Sequence, residues 1–151
     1  MKVMRSSDPF LFFSKREKEE IIQAVQEAEM KTSGEIRVHL ERKAKEDIMA
    51  HAREVFQKIG MTRTRERNGV LIFMGIRTKR FCIVGDHGIH EKVPEGFWDG
   101  LVALMEKHFK EDRFAEGICE TIWKVGDKLK EFFPFERDDI NQLPDEISYS
   151  I

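Results

Sequence analysis

The sequence predicts an α/β domain, a small mixed sheet with helices on both faces. Three observations carry that prediction. Residues Glu35 to Glu41, EIRVHLE, alternate apolar and polar side chains as a half-buried strand does. Residues Val70 to Met74, VLIFM, are continuously apolar, as a strand covered on both faces is. Apolar stripes at helical spacing precede, separate and follow these strands. A length of 151 residues suits one domain with a core of its own.

Each element has local reasons. Ser14 and Glu17 have the spacing of a capping box, so a helix starts at Ser14 and buries Ile21, Ile22, Val25 and Ala28. Thr32, Ser33 and Gly34 end it. The Glu35–Glu41 strand turns Ile36, Val38 and Leu40 inward and Glu35, Arg37, His39 and Glu41 outward. A second helix runs from about Lys45 to Ile59, with Ile48, Ala52, Val55, Phe56 and Ile59 inward and Gly60 as its stop. Met61 to Arg67 is a polar loop carrying Arg63, Arg65 and Arg67. Arg77 to Lys79 form a turn, and Arg80 to Gly85 a third strand. Pro94 opens a helix that continues to about Phe109. Asp112 caps a last helix through Phe132, which buries Phe114, Ile118, Ile122, Val125 and Leu129.

Residues 1–13 read as an extension and 14–133 as the domain. Residues 134–151 read as an acidic tail with two prolines, packed extended on the domain or mobile. The strand, helix, strand order from Glu35 to Met74 implies a right-handed parallel crossover. The next connection is too short for a crossover, so the third strand pairs antiparallel with the second.

Composition excludes some functions. The 26 basic and 28 acidic residues leave a net charge of -2, against the basic excess of general nucleic-acid binding. Cys82 and Cys119 lie in apolar segments and read as buried free thiols of a reducing compartment. The N-terminal apolar cluster is broken by Asp8 and Pro9, and no run approaches the roughly 18 apolar residues of a membrane span. The expected location is the cytoplasm.

The topology gathers polar residues at one end of the sheet. Glu35 begins the first strand, Asn68 precedes the second, and Asp86 ends the antiparallel third. His87, His90 and Glu91 occupy the adjoining loop. Carboxylates with an amide oxygen are hard ligands suited to calcium or magnesium, giving a candidate metal set of Glu35, Asn68, Asp86 and Glu91. A nearby helix N-terminus attracts phosphate. Together these suggest metal-assisted hydrolysis of a phosphorylated substrate, with Asp86 and His90 as catalytic candidates.

Plainer readings accompany each residue. Glu35 can be an exposed strand start, Asn68 and Gly69 can shape a turn, and Asp86 between Gly85 and Gly88 can form one. His87 and His90 share a loop, where helical spacing does not bring them together. His39 and His51 read as surface or satisfied histidines, and His108 as a cation near a helix C-terminus. The three-arginine loop fits a phosphate site or a solvated loop. No Ser–His–Asp set or P-loop is present in the sequence, and Cys82 in a buried strand is a poor nucleophile.

Ser14 to about Phe133 resembles the TPM domain family, named for a thylakoid lumen protein, a photosystem repair protein and a modulator of levamisole receptors. The matching segments are the opening amphipathic helix, TSGEIRVHL (Thr32 to Leu40), RNGVLIFM (Arg67 to Met74), FCIVGDHGIHEKVP (Phe81 to Pro94) and KEDRFAEGI (Lys110 to Ile118). The resemblance implies a three-layer α/β/α sandwich. It also implies acid phosphatase activity, as in plant members, or divalent-cation binding by an acidic cluster near the loops. The chain departs from the pattern where Arg67-Asn68-Gly69 replaces the usual Asp-Asn-Gly, and where Gly85-Asp86-His87-Gly88 replaces a Gly-Tyr-Gly-like loop.

Two functional readings follow. One is a calcium- or magnesium-binding domain with weak phosphatase activity. The other is a non-catalytic interaction module for protein assembly, repair or quality control. Its contact surface would be the Asn141–Ser150 tail or an apolar groove beside Phe97 and Trp98. The geometry around Arg67 discriminates between them, because a guanidinium among the carboxylates takes the place of a cation.

Overall fold

The computed structural model describes residues 5–135 and 147–150. Its elements are α1 (Pro9–Phe12), α2 (Lys15–Glu29), β1 (Glu35–Glu41), α3 (Ile48–Lys58) and a 3₁₀ turn (Met61–Arg63). They continue with β2 (Gly69–Gly75), β3 (Arg80–Gly85), α4 (His87–His90), α5 (Phe97–Lys110), α6 (Phe114–Phe132) and β4 (Ser148–Ser150). The sheet order is β3-β2-β1-β4. β1 lies parallel to β2, from Glu35↔Gly69 to Glu41↔Gly75, and β2 lies antiparallel to β3. The expected mixed sheet forms, and β4 extends it by pairing parallel to β1.

Strand alternation divides the core into two layers. Ile36, Val38, Leu40, Val70, Ile72 and Ile83 pack with α2, α5 and α6. Leu71, Phe73, Cys82 and Val84 pack with α3 on the other face. Helices therefore cover both faces in an α/β/α arrangement. The capping box of α2 is complete: Ser14 Oγ accepts from the Glu17 amide at 3.1 Å, and Glu17 Oε1 accepts from the Ser14 amide at 3.0 Å.

Several local expectations are corrected. The polar side of β1 is covered, not solvated: Glu35 is 3% exposed and His39 1%. α5 begins at Phe97, because Gly96 at φ 83° turns the chain after a turn closed by the Phe97 amide on the Pro94 carbonyl. Asp112 closes α5 instead of capping α6. It adopts φ 58°, its amide donates to Phe109 O, and the Arg113 amide donates to His108 O, the two bonds of a Schellman motif. Two four-residue helices, α1 and α4, are additions to the expected elements.

Of the expected tail, Pro134, Phe135 and 147–150 lie in the described residues, and the 141–146 part of the expected contact segment lies outside them. Pro134 bridges Thr32, and Ser148–Ser150 pair with His39–Glu41. Phe10 of α1 stacks on Tyr149 of β4 at 4.5 Å. Among the described residues no helix is long and apolar enough to cross a membrane.

Candidate functional site

The sheet register does bring the starts of β1 and β2 and the end of β3 to one edge. Glu35 is the register partner of Gly69, and the Asp86 amide donates to Gly69 O at 2.9 Å. Asp86 is also the N-cap of α4, where its Oδ1 accepts from the His87 amide at 2.8 Å. Two glycines shape this corner. A Cβ at Gly88 would collide with the backbone of Glu66 and Arg67, so α4 sits directly on that turn. A Cβ at Gly85 would collide with the Trp98 indole.

The dominant electrostatic feature is Arg67. It sits in the left-handed region at φ 51°, which aims its side chain across the turn. Its Nε donates to Asp86 Oδ2 at 2.7 Å and its Nη2 to Asp86 Oδ1 at 3.0 Å. This is a two-pronged guanidinium–carboxylate pair, with Asp86 only 7% exposed. The hydrogen bonds it donates to Asp86 raise the Arg67 pKa further, so the guanidinium keeps its charge.

The remaining residues lie around this pair. Asn68 is 1% exposed; its Nδ2 donates to Ser33 Oγ at 3.2 Å, and its amide donates to Thr64 Oγ1 at 3.1 Å. Its Oδ1 is buried with no hydrogen-bond partner among the described residues. Ser33 in turn binds Glu66 Oε2 at 2.8 Å. His87 is exposed, with Nδ1 3.6 Å from Asp86 Oδ1. His90 is exposed, and its Nδ1 accepts from Trp98 Nε1 at 3.0 Å, so that nitrogen is not the one carrying a proton. Glu91 is the exposed C-cap of α4.

These side chains share an edge without forming a closed ligand set. Among the described residues, the one group of three His, Cys, Asp or Glu side chains with ligand atoms within 4.8 Å of one another is His108, Glu116 and Glu120, on other elements. The best carboxylate of the edge already carries a cation on both oxygens. Calcium or magnesium would have to displace the guanidinium and gather Glu35 and Glu91 from where they stand. The residues present therefore do not fit such an ion in this arrangement. Sequence reasoning missed Glu66 and Ser33. The arginine itself was visible, standing where the resemblance expects an aspartate.

The histidines of the other sheet face are buried and satisfied. His39 Nδ1 lies 2.7 Å from Ser148 Oγ, and its Nε2 lies 2.8 Å from Glu41 Oε2. His51 Nδ1 accepts from the Lys45 amide at 3.0 Å. Burial lowers the His39 pKa against the opposing hydrogen bond to the Glu41 carboxylate. Both cysteines are free and buried, and burial pushes Cys82 to about 12 and Cys119 to about 11, so neither is a ready nucleophile.

A second surface feature lies on α5. An open groove of about 580 Å³ is lined by Phe97, Leu101, Leu104, Gly96 and Gly100, with Lys107 and Lys124 beside them. A Cβ at Gly100 would meet nothing within 4 Å among the described residues. Trp123 on the adjoining α6 is 48% exposed.

Comparison with known proteins agrees with this architecture. The sequence model of the TPM domain matches residues 6–128. The chain is similar to the BA42 protein of the psychrophilic bacterium Bizionia argentinensis. The NMR structure of that protein matches at a TM-score of 0.87 and 39% identity, over 96% of this chain and 100% of that one. The N-terminal domain of a P. gingivalis protein matches at a TM-score of 0.56 and 20% identity, over 79% of this chain and 77% of that one, a likeness of fold alone. No curated protein matches the chain.

Proposed function

The chain belongs to the TPM domain family, and from that premise we propose that it is a non-catalytic interaction module, a receiver for a partner in protein assembly, repair or quality control. The Arg67–Asp86 pair carries this reading. A metal-assisted phosphatase needs its carboxylates open to the ion, and here the most buried of the loop acids holds a guanidinium on both oxygens. The free, buried thiols fit a reducing compartment, taken here as the cytoplasm.

The α5 groove supplies the surface. Its apolar lining suits one or two apolar anchors, and Lys107 and Lys124 favour acidic residues beside them. The partner on this reading is an apolar segment with acidic flanks. One observation favours the phosphatase alternative: the buried Asn68 Oδ1 has no hydrogen-bond partner among the described residues and is a hard oxygen of the kind calcium takes.

One experiment separates the two. Ten-residue peptides with paired Leu or Phe anchors, flanked by Glu or by Lys, are titrated and followed by amide NMR. The interaction reading expects saturable shifts confined to Gly96–Lys107 and the region of Lys124. It also expects Glu-flanked peptides to bind at least roughly tenfold tighter than Lys-flanked ones, and Lys107→Glu with Lys124→Glu to reverse the order. No flank preference, together with calcium- or magnesium-dependent hydrolysis of p-nitrophenyl phosphate that Asp86→Ala abolishes, overturns it.

A further inference from the structure

The far ends of α5 and β3 carry a second polar cluster, well away from the Asp86 corner. Phe109 meets Phe81 edge-on at 4.8 Å, and Phe81 is the register partner of Met74 near the end of β2. Asp86 bonds Gly69 at the start of that strand. At about 3.3 Å per strand residue, the two places lie roughly 17 Å apart.

Gly117 allows α6 to approach α5 closely here: a Cβ at this position would lie 2.7 Å from the His108 Cβ. His108 is thereby pressed between the helices and is 9% exposed. Its Nδ1 lies 3.0 Å from the Leu104 carbonyl oxygen. A carbonyl only accepts, so Nδ1 carries the proton, and in the neutral ring Nε2 presents its lone pair. That nitrogen stands 3.5 Å from Glu120 Oε2. Glu116, one turn earlier on α6, completes a set whose three ligand atoms lie within 4.8 Å of one another. A ring lone pair and carboxylate oxygens converging on one point need a positive charge between them.

We infer that His108, Glu116 and Glu120 form a binding site for a divalent transition ion of the zinc class. Bonds of about 2.0–2.2 Å at tetrahedral angles set ligand atoms roughly 3.3–3.5 Å apart, so the 3.5 Å between His108 and Glu120 needs little adjustment. One imidazole nitrogen with carboxylates suits zinc better than calcium, which takes six to eight oxygens at longer distances. The bond from Nδ1 to Leu104 O is the outer contact that holds a metal-binding histidine in its tautomer and orientation. Glu116 is exposed, so the fourth position opens to water. Arg113 approaches Glu116 at 3.9 Å from a side chain that is 59% exposed, a loose pair that an ion displaces readily.

The test uses the full chain without a histidine tag, titrated with zinc chloride. Binding is read by calorimetry and by imidazole proton–nitrogen NMR. The expected result is one equivalent of zinc and a His108 Nε2 resonance moved to its metal-bound position. Both Glu116→Gln and Glu120→Gln should weaken binding by at least about tenfold, while Asp86→Ala leaves it unchanged. Both glutamines replace glutamates on the outer side of α6, and unchanged circular dichroism confirms that these variants fold. A His108 ring unmoved by excess zinc, or wild-type affinity in Glu120→Gln, overturns the site and leaves Nε2 sharing only a proton with Glu120.

Discussion

On the face covered by α2, α5 and α6, β1 contributes Ile36, Val38 and Leu40 to an apolar layer. On the face covered by α3, the same strand contributes Glu35 and His39, buried nearly as deeply, at 3% and 1% exposed. The first layer excludes water with hydrocarbon and is stabilised by transfer and close packing. The second keeps polar groups inside by giving them partners: Ser148 and Glu41 hold His39, and Phe73 stacks on its ring at 5.6 Å. Both faces have apolar packing, and the α3 side adds polar pairs that fix the register of β4 on β1. A one-residue slip of β4 would remove Ser148 from His39 and leave a buried ring nitrogen unbonded.

The contrast can be broken most forcefully from the apolar side. Ile122, in α6 and 0% exposed, has no polar role. Ile122→Ala should lower unfolding free energy by about 3–4 kcal/mol through lost transfer and a cavity, read by urea denaturation. His39→Leu should cost less, about 1–2 kcal/mol, since Ser148 and Glu41 keep partial access to water.

The two variants should also differ in pH dependence. Burial is the main cause of the lowered His39 pKa, helped by the nearby Arg37 and His51 charges and opposed by Glu41. An unfolded histidine titrates near about 6.5, so as pH falls the unfolded chain takes up the proton first. The His39 contribution is therefore intact above about pH 6.5 and declines as pH drops through the folded value. Denaturation curves from neutral to mildly acid pH should retain this slope in Ile122→Ala and lose it in His39→Leu. If both variants keep it, the α3 face is not the pH-sensitive one.

The smallest expected effect is on thiol reactivity and leaves stability unaltered. Cys82 lies on the α3 face and Cys119 in α6 on the opposite face. Burial pushes the Cys82 thiol up to about 12 and the Cys119 thiol up to about 11, so thiolate is scarcer at Cys82. Iodoacetamide labelling of the native protein, read by peptide mass, should modify Cys119 first.

The sequence was most legible where one local force dominates. β1 ends at the expected residues because alternation and the preceding Gly34 agree, and the Ser14 capping box stands as written. β3 runs over Arg80–Gly85 as its turn and periodicity require. Four-residue helices such as α4 fall below the length at which periodicity can be read. Asp112 has the composition of an N-cap, but its tolerance of positive φ made it a better terminator for α5. At the candidate edge, strand order placed Glu35, Asn68 and Asp86 correctly along the chain. The pairing of Arg67 with Asp86 depends on a left-handed residue and on Gly88 seating α4 against it, neither of which shows as a pattern. The polar face of β1 misled because alternation reports chemistry, and whether α3 covers that chemistry is a tertiary fact.

The pairing of β4 with β1 has a consequence for synthesis. Residues His39 and Ser148 meet across 109 positions, so β1 waits beside an empty edge while most of the chain is being made. At about 5–20 residues per second, that interval is roughly 5–20 s. During it, the β1 edge offers unpaired amides and carbonyls to any other strand nearby. Ser148–Ser150 close that seam on β1, and a chain truncated before Ser148 should be more prone to self-association than the full chain, read by light scattering.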